Sequence, residues 1–491
     1  MRVVVVGAGL GGLSAACHLA GSGHEVEIVE RASGPGGRVT AIHEQGFTLD
    51  LGATVLTMTG VLAATFRAAG ADLTDHLTID AVDPMYRATF PDLGPLRVRH
   101  GRDAMVEEIR RECGPRDADA FVSFCGWLRE LFEVEWPNFI DRNFDSPLDL
   151  ARPPGPLARL VRLGGLRRLD RVISSRFDDP RLRKLFSFQS LYAGLSPFDA
   201  LAIYAVITYM DTVEGVYHPR GGMSAIGAAL ARAAAATGRV AIRYDTDVAA
   251  IEPASLGQRA AVHLDDGEIL HADAVVANPD LPVAYRTLLP APMPRRARSG
   301  EYSPSCALWV AGVRGGLPPE AAHHNVHFGA QWREAFDALL REGRLMPDPS
   351  ILVTSHSHSD RSLAPAGCST LYALEPTPNL DGGVDWVADR DRVRAALVER
   401  LAAHGYPVDD VVVERFVDPT EWERRGMHRG TPFGLSHRFL QSGPFRPSNV
   451  DRRLPGIVFV GSSTVPGVGV PMVLVSGRLA AERVNELHAG A

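Results

Sequence analysis

The chain has 491 residues, 45% of them apolar and 22% charged, enough to bury a large core and to exclude a disordered chain or a disulfide-stapled miniprotein. Its 51 Lys+Arg against 58 Asp+Glu leave a formal charge of −7, which offers no global footprint for nucleic acid. Five cysteines, Cys17, Cys113, Cys125, Cys306 and Cys368, make an odd set without a CxxC pair, so no disulfide framework is expected and a reducing, cytoplasmic compartment is.

The N-terminus runs directly into an apolar strand, Arg2 to Val6, and no secretory leader is expected. Gly7-Ala8-Gly9-Leu10-Gly11-Gly12 follows and satisfies GxGxxG with Gly7, Gly9 and Gly12. Leu13, Ala16, Leu19 and Ala20 then predict a helix, and Glu25 to Val29 a second strand ending at Glu30. In this order the residues predict a dinucleotide site. Gly7 makes the tight turn, Gly9 admits a pyrophosphate to the backbone, and Gly12 lets helix and strand pack closely. The helix N-terminus faces the phosphates, and Glu30 accepts from a ribose diol. A second glycine pair, Gly36-Gly37, precedes Arg38, a pattern similar to flavoproteins that bury extended FAD, where the arginine offsets pyrophosphate charge. Gly46 to Thr54 reads as extended chain leading Gly52, Ala53 and Thr54 towards a flavin ring.

Between Arg152 and Lys184, the only lysine of the chain, nine Arg and one Lys face only Asp170, Asp178 and Asp179, a net of 10 − 3 = +7. Leu157, Leu160, Val161, Leu163, Leu166, Leu169, Val172 and Ile173 recur there as an apolar stripe, and the segment is expected to dock on an anionic membrane surface. Further on, an Ala-rich helix is predicted over Met223–Ala236 and strands over Val240–Tyr244 and Val248–Glu252. His323, His324, His327, His356 and His358 fit no common zinc spacing, and no metal is expected. No GxSxG nucleophile elbow is present.

The uncharged stretch Leu454 to Gly477 is broken by Pro455, Pro466 and Pro471, so it predicts strand, loop and helix start rather than a membrane span. Ile457 to Val460 is the strand, Gly461 to Gly469 the loop, and a helix begins at Val470. Free N–H groups around Gly461, Gly469 and Val470 suit the N1/O2 edge of a flavin.

The N-terminal block, Gly221-Gly222-Met223, the segment Asp245 to Ile251 and Gly461 to Gly477 together resemble the bacterial-type phytoene desaturases. Ser187 to Gly194, Asp273 to Asp280, Tyr302 to Ser305, His323-His324-Asn325, Ala364 to Gly367, and Phe433 to His437 with Gln441 extend the resemblance over nearly the whole chain. Two positions depart from that family: Ser462, where Ala, Gly or Cys is usual, and Val465, where a polar residue is usual. The resemblance implies an α/β fold of the glutathione-reductase-like FAD type with a discontinuous substrate domain. FAD parts would span 1–80, 217–289 and 451–491, a mainly helical substrate part 81–216, and a mixed one 290–450.

It further implies FAD as cofactor, with the backbone of Val248 against the adenine. A hydrophobic C40 polyene such as phytoene would be the substrate, and oxygen or a quinone the electron acceptor. Because such a polyene is insoluble in water, the enzyme is expected at the inner face of the cell membrane without spanning it. Removing hydride and proton from a C–C bond requires an accepting cofactor, and a carboxylate suits the cationic stage. Asp211 and Glu214, between the apolar run Ala200–Met210 and Gly221-Gly222, are the candidate catalytic residues. The alternatives are a carotenoid isomerase, a hydroxycarotenoid desaturase, an FAD amine oxidase or a non-catalytic flavin-binding partner.

Overall fold

A computed structural model describes residues 1–489. The strand Arg2–Val6 lies at the centre of a five-stranded, wholly parallel sheet. Across this sheet the order is Ile457–Phe459, Ala274–Ala277, Arg2–Val6, Glu25–Val29 and Val240–Arg243. Runs such as Val3 to Val6 and Ala274 to Ala277 are apolar on both faces because both faces are covered, and all of these residues are buried. Helices Leu10–Gly21, Ala225–Ala236 and Val470–Ala489 pack together on one side. A three-stranded antiparallel sheet, Val248–Glu252, Ala260–Leu264 and Ile269–Ala272, lies against the other.

A seven-stranded sheet forms the second layer system. Its order is Val411–Val417, Ser305–Arg314, Cys368–Thr377, Ile351–Thr354, His324–His327, Tyr86–Phe90 and Leu93–Val98. Every pairing in it is antiparallel except that of His324–His327 with Tyr86–Phe90. The strands of residues 86–98 therefore belong to this sheet, although the sequence groups them with the helical block. That block follows as helices Arg102–Cys113 and Pro115–Glu135 and a series of short helices up to Val213, packed on an aromatic core including Phe121, Phe124, Phe177 and Phe186. The fold is mixed α/β of the glutathione-reductase-like FAD type, with the cofactor sheet assembled from the two ends and the middle of the chain.

The basic segment does not form one continuous stripe. Gly164, at φ +77°, and Gly165 separate helix Pro154–Arg162 from helix Leu169–Ser174. Leu160, Leu169, Val172 and Ile173 turn into the core, while Val161 and Leu166 remain outside. Several of the cations are also engaged. Arg181 is buried against Asp179, Arg176 lies over the Trp127 ring, and Lys184 donates to the Gly329 carbonyl. No helix among the described residues is long and apolar enough to cross a membrane.

Candidate cofactor and active site

The turn after the first strand is built by glycine because nothing larger fits. Gly7 has φ +98° and donates its N–H to Val29 O at 2.8 Å. A Cβ on Gly12 would lie 2.2 Å from Gly7 O, and one on Gly9 would lie 2.8 Å from the Asn278 amide nitrogen. The GGR segment folds back onto the same turn: Gly36 N–H donates to Ala8 O, and a Cβ on Gly37 would strike Gly9 Cα at 2.9 Å. Gly52 continues the close packing, since its Cβ would lie 2.1 Å from Arg38 O. No side chain caps helix Leu10–Gly21 at Gly9, so the N–H groups of its first turn are free for an anion.

Glu30 is buried at the end of the second strand. It accepts the Ala8 N–H on Oε2 at 2.6 Å and the Ala32 N–H on Oε1 at 2.9 Å. These bonds fix the carboxylate beside the glycine turn and leave lone pairs on both oxygens for a diol. Val248 is buried at the start of its strand. Thr54 is buried and lies 3.5 Å from the Thr354 hydroxyl, and Gly52 O accepts from Tyr372 OH at 2.9 Å.

The C-terminal loop closes on this turn through Asn278, which the sequence does not single out. Its amide donates to Gly7 O at 3.2 Å, and its side-chain oxygen would lie 3.3 Å from a Cβ on Gly461. The signal available was its position directly after the apolar strand Ala274–Ala277, where loop residues of a parallel sheet meet ligands. Gly461, at φ +113°, donates its N–H to Ser476 Oγ; Gly469, at φ +119°, precedes helix Val470–Ala489.

Arg38 has a task that the sequence does not reveal. Its Nη1 donates to Pro432 O at 2.9 Å and to Ser462 Oγ at 2.6 Å, and its Nη2 stands 3.6 Å from Asp280. The guanidinium thus ties the front segment to the back one instead of serving only as counter-charge. Ser462, one of the two departures from the desaturase pattern, is one of its acceptors. Beneath the loop, Arg446 is fully buried and donates only to carbonyls: Thr464 O, Ser462 O, Leu435 O and Gln441 O. Burial lowers its pKa to about 10, so it stays charged at neutral pH.

The two candidate catalytic carboxylates are not a pair. Asp211 is buried in a π-helical turn, Tyr209–Val213, where it accepts from Tyr86 OH at 2.9 Å and Thr212 Oγ1 at 2.7 Å. Burial pushes its carboxyl up to about 6 against the lowering effect of those bonds. Glu214 is exposed at the end of the same turn and does not join it. One turn moves one carboxylate inward and the next outward, which periodicity alone does not reveal. Glu135 is a second buried acid, at the end of its helix and before the π-turn Trp136–Ile140; burial alone pushes its carboxyl well up, and its Oε1 has no partner. Its sequence signal is Pro137, which breaks the helix just beyond it.

Parallel sheet, glycine cradle, free helix N-terminus and buried acid define an FAD-dependent oxidoreductase. Residues 10–485 match the family described as flavin containing amine oxidoreductase, and the chain belongs to that family. It is 45% identical over 489 residues to the phytoene dehydrogenase of Streptomyces griseus, covering 99% of this chain and 95% of the relative. It is 38% identical over 489 residues to the zeta-carotene-forming phytoene desaturase of Myxococcus xanthus, covering 98% and 93%. The fold is also that of cyclohexylamine oxidase from Brevibacterium oxydans, with a TM-score of 0.60 at 15% identity over 99% of each chain. Lys184 donates to Gly329 O and lies over the Trp332 ring.

Gly9→Val is expected to weaken FAD binding by about 1–3 kcal/mol, because the branched side chain fills the space against Asn278. Glu30→Ala is expected to cost a similar ~1–3 kcal/mol through lost charge-assisted bonds. Fluorescence titration of apoprotein with FAD measures both; wild-type affinity in either variant would remove that residue from the site.

Proposed function

We propose that the protein is an FAD-dependent carotenoid desaturase that introduces C=C bonds into phytoene or a closely related C40 polyene. The observation that carries this is the 45% identity along practically the full length of a phytoene dehydrogenase. Bound FAD supplies the hydride acceptor. The glycine turn, Glu30, Val248 and the loop from Gly461 to Val470 hold the cofactor; Arg38 ties that loop to the GGR segment, Asn278 donates to the turn at Gly7 O, and Arg446 ties the loop to Leu435 and Gln441. Asp211, a buried carboxylate that ionises near neutrality, is the group suited to steady positive charge on the polyene and to take up its proton. Oxygen or a quinone would reoxidise the enzyme.

The test is anaerobic incubation of FAD-loaded protein with phytoene in liposomes. Bleaching of the flavin band and products lighter by two hydrogens per step are expected. Products of unchanged mass would make the protein an isomerase, and no bleaching at all would make it a flavin-binding partner.

The same reading takes the protein to the inner face of the cell membrane. Support comes from exposed Leu148, Val161, Leu166, Phe439 and Leu440, which lie on adjoining elements: turn Pro147–Ala151 packs on both helix Pro154–Arg162 and turn Gly443–Phe445, and Phe439 lies against Phe445. Arg159, Arg162 and Arg167 stand exposed among them. Each such cation is worth about 1 kcal/mol near anionic headgroups. Wild-type protein should pellet with phosphatidylglycerol vesicles and release at high salt. Changing Arg159, Arg162, Arg167 and Arg168 to Glu should abolish pelleting; retention of binding would move the dock elsewhere.

A further inference from the structure

Three histidines from distant parts of the chain converge. His218 lies on the short strand Tyr217–Pro219, His323 just before strand His324–His327, and His356 at the turn after strand Ile351–Thr354. Each offers a ring nitrogen, and the three nitrogens lie within 4.8 Å of one another. The residues are only 1%, 2% and 2% exposed. Both ring nitrogens of His218, both of His356 and Nε2 of His323 are buried without a hydrogen-bond partner. Five such atoms in one cluster, one from each ring within 4.8 Å of the others, are costly to leave without partners.

The surroundings are those of an ion site. Asp50 Oδ2 stands 3.6 Å from His356 Nδ1, and the Asp50 carboxylate is anchored by the N–H groups of Met223 and Ser224 at 2.8 and 3.1 Å. Ser359 Oγ lies 2.7 Å from His323 Nδ1. For His323 this leaves Nε2 as the free nitrogen, the outer-shell arrangement usual for a ligating histidine.

We propose that His218, His323 and His356 form a site for one divalent transition-metal ion, with Asp50 as the neighbouring negative charge. Imidazole nitrogens favour Zn2+ and its neighbours over Mg2+ or Ca2+, and no thiol is in the cluster to select a softer ion. Coordination at ~2.0–2.1 Å draws the rings closer together than they stand, within the reach of side-chain rotation. Such an ion joins the strand leading into Gly221-Gly222-Met223, on the cofactor side, to two segments of the seven-stranded sheet. It is a clamp between the halves. Spacing conceals it because His218 lies 105 residues before His323 and 138 before His356.

The test uses untagged holoprotein with FAD bound, so that any nitrogen satisfied by the cofactor does not score. After chelator treatment and confirmation that FAD is retained, Co2+ or Zn2+ is titrated and metal content measured by elemental analysis. One ion per chain and the visible bands of low-symmetry cobalt are expected. His218→Gln and His356→Gln should each bind at least roughly tenfold more weakly, while His358→Gln, an exposed neighbour, should bind as wild type. X-ray absorption of the wild-type zinc form, which needs no variant to fold, should show three imidazole ligands. Absence of a stoichiometric ion, full binding by both variants, or a spectrum without multiple imidazoles would each overturn the site.

Discussion

Replacing Arg446 with Ala is expected to cost about 3–5 kcal/mol of stability and to release FAD, because it leaves three buried carbonyls and a half-buried one without their donor and opens a cavity among them. Those carbonyls belong to two segments, Leu435–Gln441 and Ser462–Thr464, which Arg446 bridges. Arg446→Lys keeps the charge but not the fork, and should fall between wild type and Ala. Urea midpoints and the flavin content of purified protein measure both. A midpoint and flavin content unchanged in Arg446→Ala would show that the loop holds itself.

Asp211→Asn is expected to lower the desaturation rate by roughly 10²–10⁴-fold, the usual worth of a positioned proton acceptor. The pH profile gives the sharper test. The Asp211 carboxyl is raised to about 6, so the charged form is lost as pH falls through that value, and the wild-type rate should fall with it. Asp211→Asn should lack this acid limb. Tyr86→Phe removes a hydrogen bond that lowers the Asp211 pKa, so the limb should move to higher pH. Glu214→Gln, at an exposed position, should alter neither rate nor profile. An acid limb that persists in Asp211→Asn would assign the proton to another group, with Glu135 the next buried carboxyl to examine.

Much of the cofactor half is legible because it is written locally. The strand Glu25–Val29, the strand Val248–Glu252 and the helix beginning at Val470 fall where their apolar periods and glycines put them. Gly7, Gly9, Gly12 and Glu30 converge because a strand–turn–helix–strand unit leaves them no other geometry. What escapes is long-range. The strands of residues 86–98 join a sheet through His324–His327, a pairing that no local pattern announces. Arg446 sits in an unremarkable Pro-rich loop, and its role exists only once two other segments present their carbonyls. The apolar stripe of residues 157–173 fails for the same reason, since Gly164 and Gly165 let one part turn inward and leave the other outside. Asp211 and Glu214 stand three residues apart in one uncharged context, and only the burial of the first and exposure of the second tell them apart.

The cofactor sheet has its earliest strand at the centre and its latest at an edge, and the helix from Val470 packs against the one from Leu10, with Ser14 Oγ donating to Leu474 O at 2.7 Å. On the ribosome this order has a consequence. The nascent chain carries Arg2–Val6 and Leu10–Gly21 through the synthesis of the 448 residues between Gly21 and Val470 before the helix that covers them emerges. Until then an apolar helix face and an open parallel edge are exposed to solvent, the kind of surface that chaperones bind and that aggregates when they do not. Flavin capture is therefore expected only once the helix from Val470 has emerged, and yield of active protein should depend on holdase and flavin supply at that point rather than on translation of the nucleotide motif.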